Sequence, residues 1–231
     1  MADQNAFPAA DGLLVNPISI PTRFGTALPM MIHNHRFATR IGLQASHICL
    51  ASPYLYALKP NLDEAVEHFD CGLPASTYPM HAAWHWHDAA ATHARLAELA
   101  RHLGVPLRVG RADGVYLPRK LFDEMLTLMH RFITADEVMA LDPIFPIEEV
   151  LFPTMLPVLL GSDALIGATN ARIWEPDDPP TPAKLRAAIA SGLYNSGKRI
   201  PQDPQDPLRR EVLANLPGSS VLEIALGTTV A

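Results

Sequence analysis

The chain has 231 residues, 48% hydrophobic and 18% charged, with a formal net charge of −6; this is the composition of an ordinary globular protein with room for one large domain or two small ones. The negative balance argues against a protein that neutralises phosphates along a duplex, so no nucleic-acid partner is expected. Two cysteines, Cys49 and Cys71, are too few for a disulfide framework, no apolar run reaches the length of a membrane span, and "MADQNAFPAADG" lacks the regions of a signal peptide, so the expected location is cytoplasmic.

Residues 1–14 read as an irregular N-terminal segment, and "VNPISIPTRFGT" (15–26) has two X-Pro steps that disfavour helix. "ALPMMIHNHRFAT" (27–39) suits a helix burying Leu28, Met31, Ile32 and Phe37, and "ASHICLASPYLYAL" (45–58) a buried strand followed by a short extended piece. After Pro60, Asn61 and Glu64 have capping-box spacing for a short helix. Residues 71–80 read as loop. A helix is expected over 88–103, closed by Gly104, then a strand at 105–109 and a turn at 110–114. Leu121, Met125, Leu128 and Phe132 mark an amphipathic helix over 115–133. "ALIGATNARIWE" (164–175) reads as strand. Thr181 and Pro182 are suited to the N-cap and first position of a helix ended by Gly192, and another helix is expected near 207–216. With no internal repeat and no clear linker, the alternation of helices and short strands points to a single α/β domain over 15–216 and a tail at 217–231.

Three stretches carry candidate chemistry. "HAAWHWHDAAATH" gathers His81, His85, His87 and His93, residues suited to a transition metal, but neither helical nor extended geometry supplies three ligands without a distant partner. In the bland reading the tryptophans pack and the histidines sit at an edge. "YNSGKRIPQDPQDPLRR" (194–210) offers Gly197 for close backbone approach and Lys198, Arg199, Arg209 and Arg210 for a diphosphate, or a solvated basic edge paired with Asp203 and Asp206. "FPIEEVLFPT" (145–154) sets Glu148 and Glu149 side by side. On a helix adjacent residues point about 100° apart, so only one of the two can face a given site. In a first turn starting near Ile147 the helix dipole favours the ionised form of both, as a general base requires, while Pro153 leaves the Glu149 carbonyl without its helical donor. The competing reading is two acids that merely satisfy a helix N-terminus.

In order, "VNPISIPTRFGTALPMMIHNHRF", "HICLASPYLYALKPNLDEAVEHFDCGLP", "ADGVYLPRKLFDEM", "PIEEVLFPT" and "GKRIPQDPQDPLRR" resemble bacterial polysaccharide glycosyltransferases similar to the core-2/I-branching β-N-acetylglucosaminyltransferases. The resemblance implies a GT-A-like fold, a mixed sheet flanked by helices, with a shortened N-terminal nucleotide-binding half. It further implies inverting, metal-independent transfer of a sugar from a nucleotide-sugar donor to an acceptor saccharide hydroxyl in surface-polysaccharide synthesis, with no cofactor. By the same resemblance Glu149 is the catalytic base and Glu148 the acid before it. Lys198 and Arg199 bind the diphosphate, and Asp113, with Gly114, Val115 and Tyr116, stands where the bacterial group carries an E-G-aromatic-aromatic motif. Trp84, Trp86 and Tyr116 are candidates for stacking on sugar faces or for the core. The alternatives are a non-catalytic sugar- or nucleotide-binding relative and a metal-dependent hydrolase built on the histidine cluster.

Overall fold

A computed structural model describes residues 27–50, 55–58, 69–74, 77–134, 137–138, 146–169, 171–174, 177–194, 196–201, 203 and 205–215. The capping-box helix expected after Pro60 and the segments 1–14 and 217–231 lie outside them.

The expected first helix forms as α1 (Ala27–Arg40), with Leu28 and Ile32 buried. The segment 45–58 yields two strands, β1 (His47–Cys49) and β2 (Leu55–Ala57). Residues 71–80, read as loop, instead give β3 (Cys71–Pro74) and β4 (Tyr78–Pro79), because partners elsewhere in the chain take up their backbone groups. The helix expected over 88–103 is broken into α2 (His87–Ala91) and α3 (Ala94–Leu103). At the break the Thr92 hydroxyl donates to the Asp88 carbonyl at 2.7 Å and the His93 ring caps α3 by accepting the Leu96 N–H. Gly104 closes α3 in the left-handed region at φ 69°, as expected of a glycine cap.

β5 (Arg108–Val109) is shorter than the strand expected there. The long helix expected over 115–133 begins late: residues 116–118 form β6 (Tyr116–Pro118), and α4 runs over Arg119–Met129. Pro118 biases Leu117 towards extended backbone, and β1 pairs with that stretch, so the helical period prevails only beyond it. α5 (Glu148–Leu160) starts immediately after Ile147. The segment 164–175 divides into β7 (Ile166–Thr169) and β8 (Ala171–Ile173). α6 (Pro182–Ser191) has the expected Thr181 N-cap and Gly192 end, β9 (Ser196–Lys198) was not expected, and α7 (Pro207–Asn215) matches the last helix.

The chain is mixed α/β, and its contacts divide it into two compact units where the sequence suggests one domain. The larger unit holds the described residues within 19–50 and 68–168; the smaller holds those within 51–67 and 169–231. In the larger unit a four-stranded sheet runs in the order β1-β6-β3-β7, with Cys49 and Gly72 flanking Tyr116 from antiparallel neighbours, and β4 pairs with β5. Its core is organised on α5. Every residue from Val150 to Leu156 is buried, the mark of a helix enclosed on all sides rather than laid on a surface. Phe152 stacks on Phe122 of α4 at 6.4 Å, with Met125, Met129, Met155 and Leu156 buried in the same cluster.

The smaller unit is a three-stranded sheet, β2-β9-β8, in which β8 and β9 are parallel and joined through α6, the crossover that parallel neighbours require. Trp174, Leu58, Leu185, Ile200 and Leu208 form its core. Gly197 is where the indole comes closest: a Cβ there would stand 2.8 Å from Trp174 Cζ3 and 3.2 Å from Leu58 Cδ1, both on fully buried side chains. Gly197→Ala is therefore expected to cost about 1–3 kcal/mol through overpacking. The check is the urea midpoint of the variant; an unchanged midpoint would show that the indole can yield.

Candidate functional site

The start of α5 is held by unusual means. Pro153 has no N–H, and the Glu149 carbonyl, which an ordinary helix would satisfy from that position, instead accepts the Gly110 N–H at 2.9 Å. One residue further on, the Thr154 hydroxyl accepts the Arg108 N–H at 2.9 Å and donates to the Arg108 carbonyl at 3.3 Å. The proline thus opens the helical ladder at the point where a neighbouring strand end closes it. The backbone of Glu149 is fixed both within the helix and across to the segment after β5.

The two acids then part company. Glu149 is half-buried, and Glu148 is 6% exposed. Burial is the main cause that raises the Glu148 carboxyl from 4.5 to about 8, and the charges of Glu149 and Asp113 raise it further. The backbone N–H groups of Glu148 and of Leu28, in the first turn of α1, favour its charged form but do not prevail. Oε2 of Glu148 has no hydrogen-bond partner among the described residues. The expectation that the helix dipole keeps both acids ionised is corrected here. A helix terminus contributes about 0.3–1 kcal/mol, whereas a pKa unit corresponds to about 1.4 kcal/mol, so the dipole cannot offset burial of this depth. The physical signal was in the sequence: "VLFPTMLPVLL" is apolar on every side, and a helix of that kind draws its first turn into the core with it.

Asp113, in the turn before β6, is close enough for its charge to act on Glu148, so the acids of two separate motifs are brought together. Tyr116 is 8% exposed, between β1 and β3, and its hydroxyl lies 2.8 Å from where a Cβ of Gly167 would stand. Trp84 is equally buried, so these two rings take the core alternative. Trp86 is half-buried, with the His85 ring 4.8 Å away. The other histidines are separately engaged: His81 Nδ1 accepts the Ala83 N–H, His87 meets Asp88 at 3.0 Å, and His93 caps α3. Among the described residues no three His, Cys, Asp or Glu side chains converge as metal ligands would, which leaves the hydrolase alternative without a constellation.

Lys198 and Arg199 belong to the smaller unit. Lys198 ends β9, and Arg199 follows with φ 69°, a left-handed backbone uncommon outside glycine. Its Nη1 donates to the Trp174 carbonyl at 2.8 Å. Arg210 donates through Nε and Nη2 to the Gln205 carbonyl, at 3.1 and 2.7 Å, and Arg209 is buried. Asp203 and Asp206 accept the Gln205 and Leu208 N–H groups, so these acids shape the turn into α7. The close approach made possible by Gly197 is that of Trp174. A feature not anticipated is Arg172, whose guanidinium lies 6.0 Å from the Trp174 ring and 5.8 Å from Tyr194.

No family model, no curated protein and no solved structure matches the chain. Among the described residues no helix is long and apolar enough to cross a membrane.

Proposed function

We propose that the protein is an inverting glycosyltransferase in which Glu149 is the general base, acting on a nucleotide-sugar donor and a saccharide hydroxyl in surface-polysaccharide synthesis. The observation that carries this reading is the unequal pair at the start of α5: a buried Glu148 whose carboxyl burial pushes up to about 8, next to a half-buried Glu149 on a fixed backbone. Burial that holds one of two neighbouring acids neutral is one way in which a site assigns proton donors and acceptors. A neutral Glu148 also spares Glu149 the repulsion of a second anion. In the single displacement, Glu149 takes the proton of the acceptor hydroxyl while that oxygen bonds to the anomeric carbon. The bond from that carbon to the diphosphate breaks, the diphosphate leaves with the electron pair, and the configuration inverts. The order of motifs along the chain supports the same reading. The test is sugar transfer from a panel of nucleotide-sugars by the parent and by Glu149→Gln. Loss of transfer in a folded variant supports the reading, and equal transfer overturns it.

A specific observation favours a second reading, a non-catalytic sugar- or nucleotide-binding relative. Arg199 and Arg210 both spend guanidinium N–H groups on backbone carbonyls, which ties them to the smaller unit's own structure. Stoichiometric nucleoside diphosphate binding by a parent protein that transfers no sugar would mark that reading.

A further inference from the structure

The larger unit contains a cavity with a volume of ≈ 440 Å³, whose lining includes neither Glu148 nor Glu149. That lies within the range of about 300–1,000 Å³ usual for small-molecule sites. Its walls are apolar, chiefly Leu73, Pro106, Pro157, Val158 and Ile166. Val158 and Ile166 are 37% and 40% exposed, so the apolar surface continues out to the mouth.

The polar groups on the lining are few and mostly engaged. The Thr154 hydroxyl is occupied by both backbone groups of Arg108. Arg108 itself is half-buried, and its Nη2 donates to the carbonyl of Thr77, another lining residue, at 3.3 Å. Among the described residues no carboxylate lies within ion-pair distance of this guanidinium. A cation partly removed from water with no counter-charge is costly, and it is strongly attractive to an anion that arrives with its own apolar cover. Arginine also has more donors than the Thr77 carbonyl uses, in a fork that matches a carboxylate or phosphate.

We infer that this cavity binds an anionic amphiphile, a straight alkyl chain with a single carboxylate or phosphate head: the chain fills the apolar cavity and the head pairs with Arg108. The site is separate from the acids of α5, and its ligand binds whether or not Glu149 is a base.

Calorimetric titration of the full chain with decanoate, decyl phosphate, decanol and propanoate tests the inference. Decanoate and decyl phosphate are each expected to saturate one site, the tighter of the two naming the head group, with decanol roughly tenfold weaker for want of a charge-assisted bond and propanoate without detectable binding. Arg108→Gln should weaken both anions roughly tenfold and leave decanol unchanged, and Arg108→Lys should restore much of the loss. Val158→Trp, at a partly exposed position on the mouth, should weaken all three long-chain ligands. Glu149→Gln should change none of them. Thermal melts of each variant establish that it is folded. Absence of saturable decanoate and decyl phosphate binding by the parent, decanol binding as tightly as both anions, or a folded Arg108→Gln that binds them like the parent would each overturn it.

Discussion

Replacing Glu148 by glutamine is expected to stabilise the protein at pH 7 by on the order of 3 kcal/mol. The folded carboxyl titrates at about 8 against an ordinary 4.5, so between these values folding takes up a proton that the unfolded chain does not hold. Each pH unit climbed within that window lowers stability by about 1.4 kcal/mol through this one group. Below the window the carboxyl is protonated in both states; above it, the carboxyl is ionised in both and the loss is constant. Glutamine has nearly the same shape and never ionises. Parent and variant should therefore be similar near pH 4.5 and diverge steadily up to pH 8, the parent being the less stable. Urea titrations of both proteins across pH 4.5–8 measure the difference and cancel every other titrating group. Parallel pH profiles would mean that Glu148 is hydrated in the fold.

Glu149→Gln is expected to lower sugar transfer by about 10²–10⁴-fold, the contribution of a positioned general base. The change should leave stability nearly untouched, because the side chain is half-buried and its backbone is held through its own carbonyl by Gly110. Glu149→Asp separates charge from reach: it keeps the carboxylate but withdraws it by one methylene, and a displacement of that size costs about 10²-fold. Measured rates for the three proteins under donor saturation decide the point. If aspartate and glutamine are equally impaired, reach matters as much as charge; if neither is impaired, Glu149 is not the base.

The parts legible in the sequence are those governed by local chemistry. Thr181, Pro182 and Gly192 frame α6, and Gly104 ends α3, because caps and left-handed glycines act over a few residues. The missed strands are of another kind. Cys71–Pro74 and Ser196–Lys198 are short, and glycine lies within each; they become strands by pairing with Tyr116 and with Ala171–Ile173, partners far off in the chain. The same distinction governs the acids. Their placement in a first turn followed from the residues around them, and the effect of Pro153 on the Glu149 carbonyl was visible too. Which donor would fill the gap was not, since Gly110 is contributed by a different element. The protonation of Glu148 depends on how deeply the whole of α5 is enclosed, a property of the fold and of the neighbouring charge on Asp113.

The Glu148 carboxyl, raised to about 8 chiefly by burial, stands beside the glutamate proposed as the base. Carboxyl ¹³C NMR of glutamate-labelled protein, titrated from pH 4 to pH 9 with Glu148→Gln and Glu149→Gln for assignment, reads this directly. The Glu148 signal is expected to keep its neutral chemical shift at pH 7 and to move only near pH 8. A Glu148 signal already at the ionised shift at pH 7 would show that this carboxyl is not held neutral by burial.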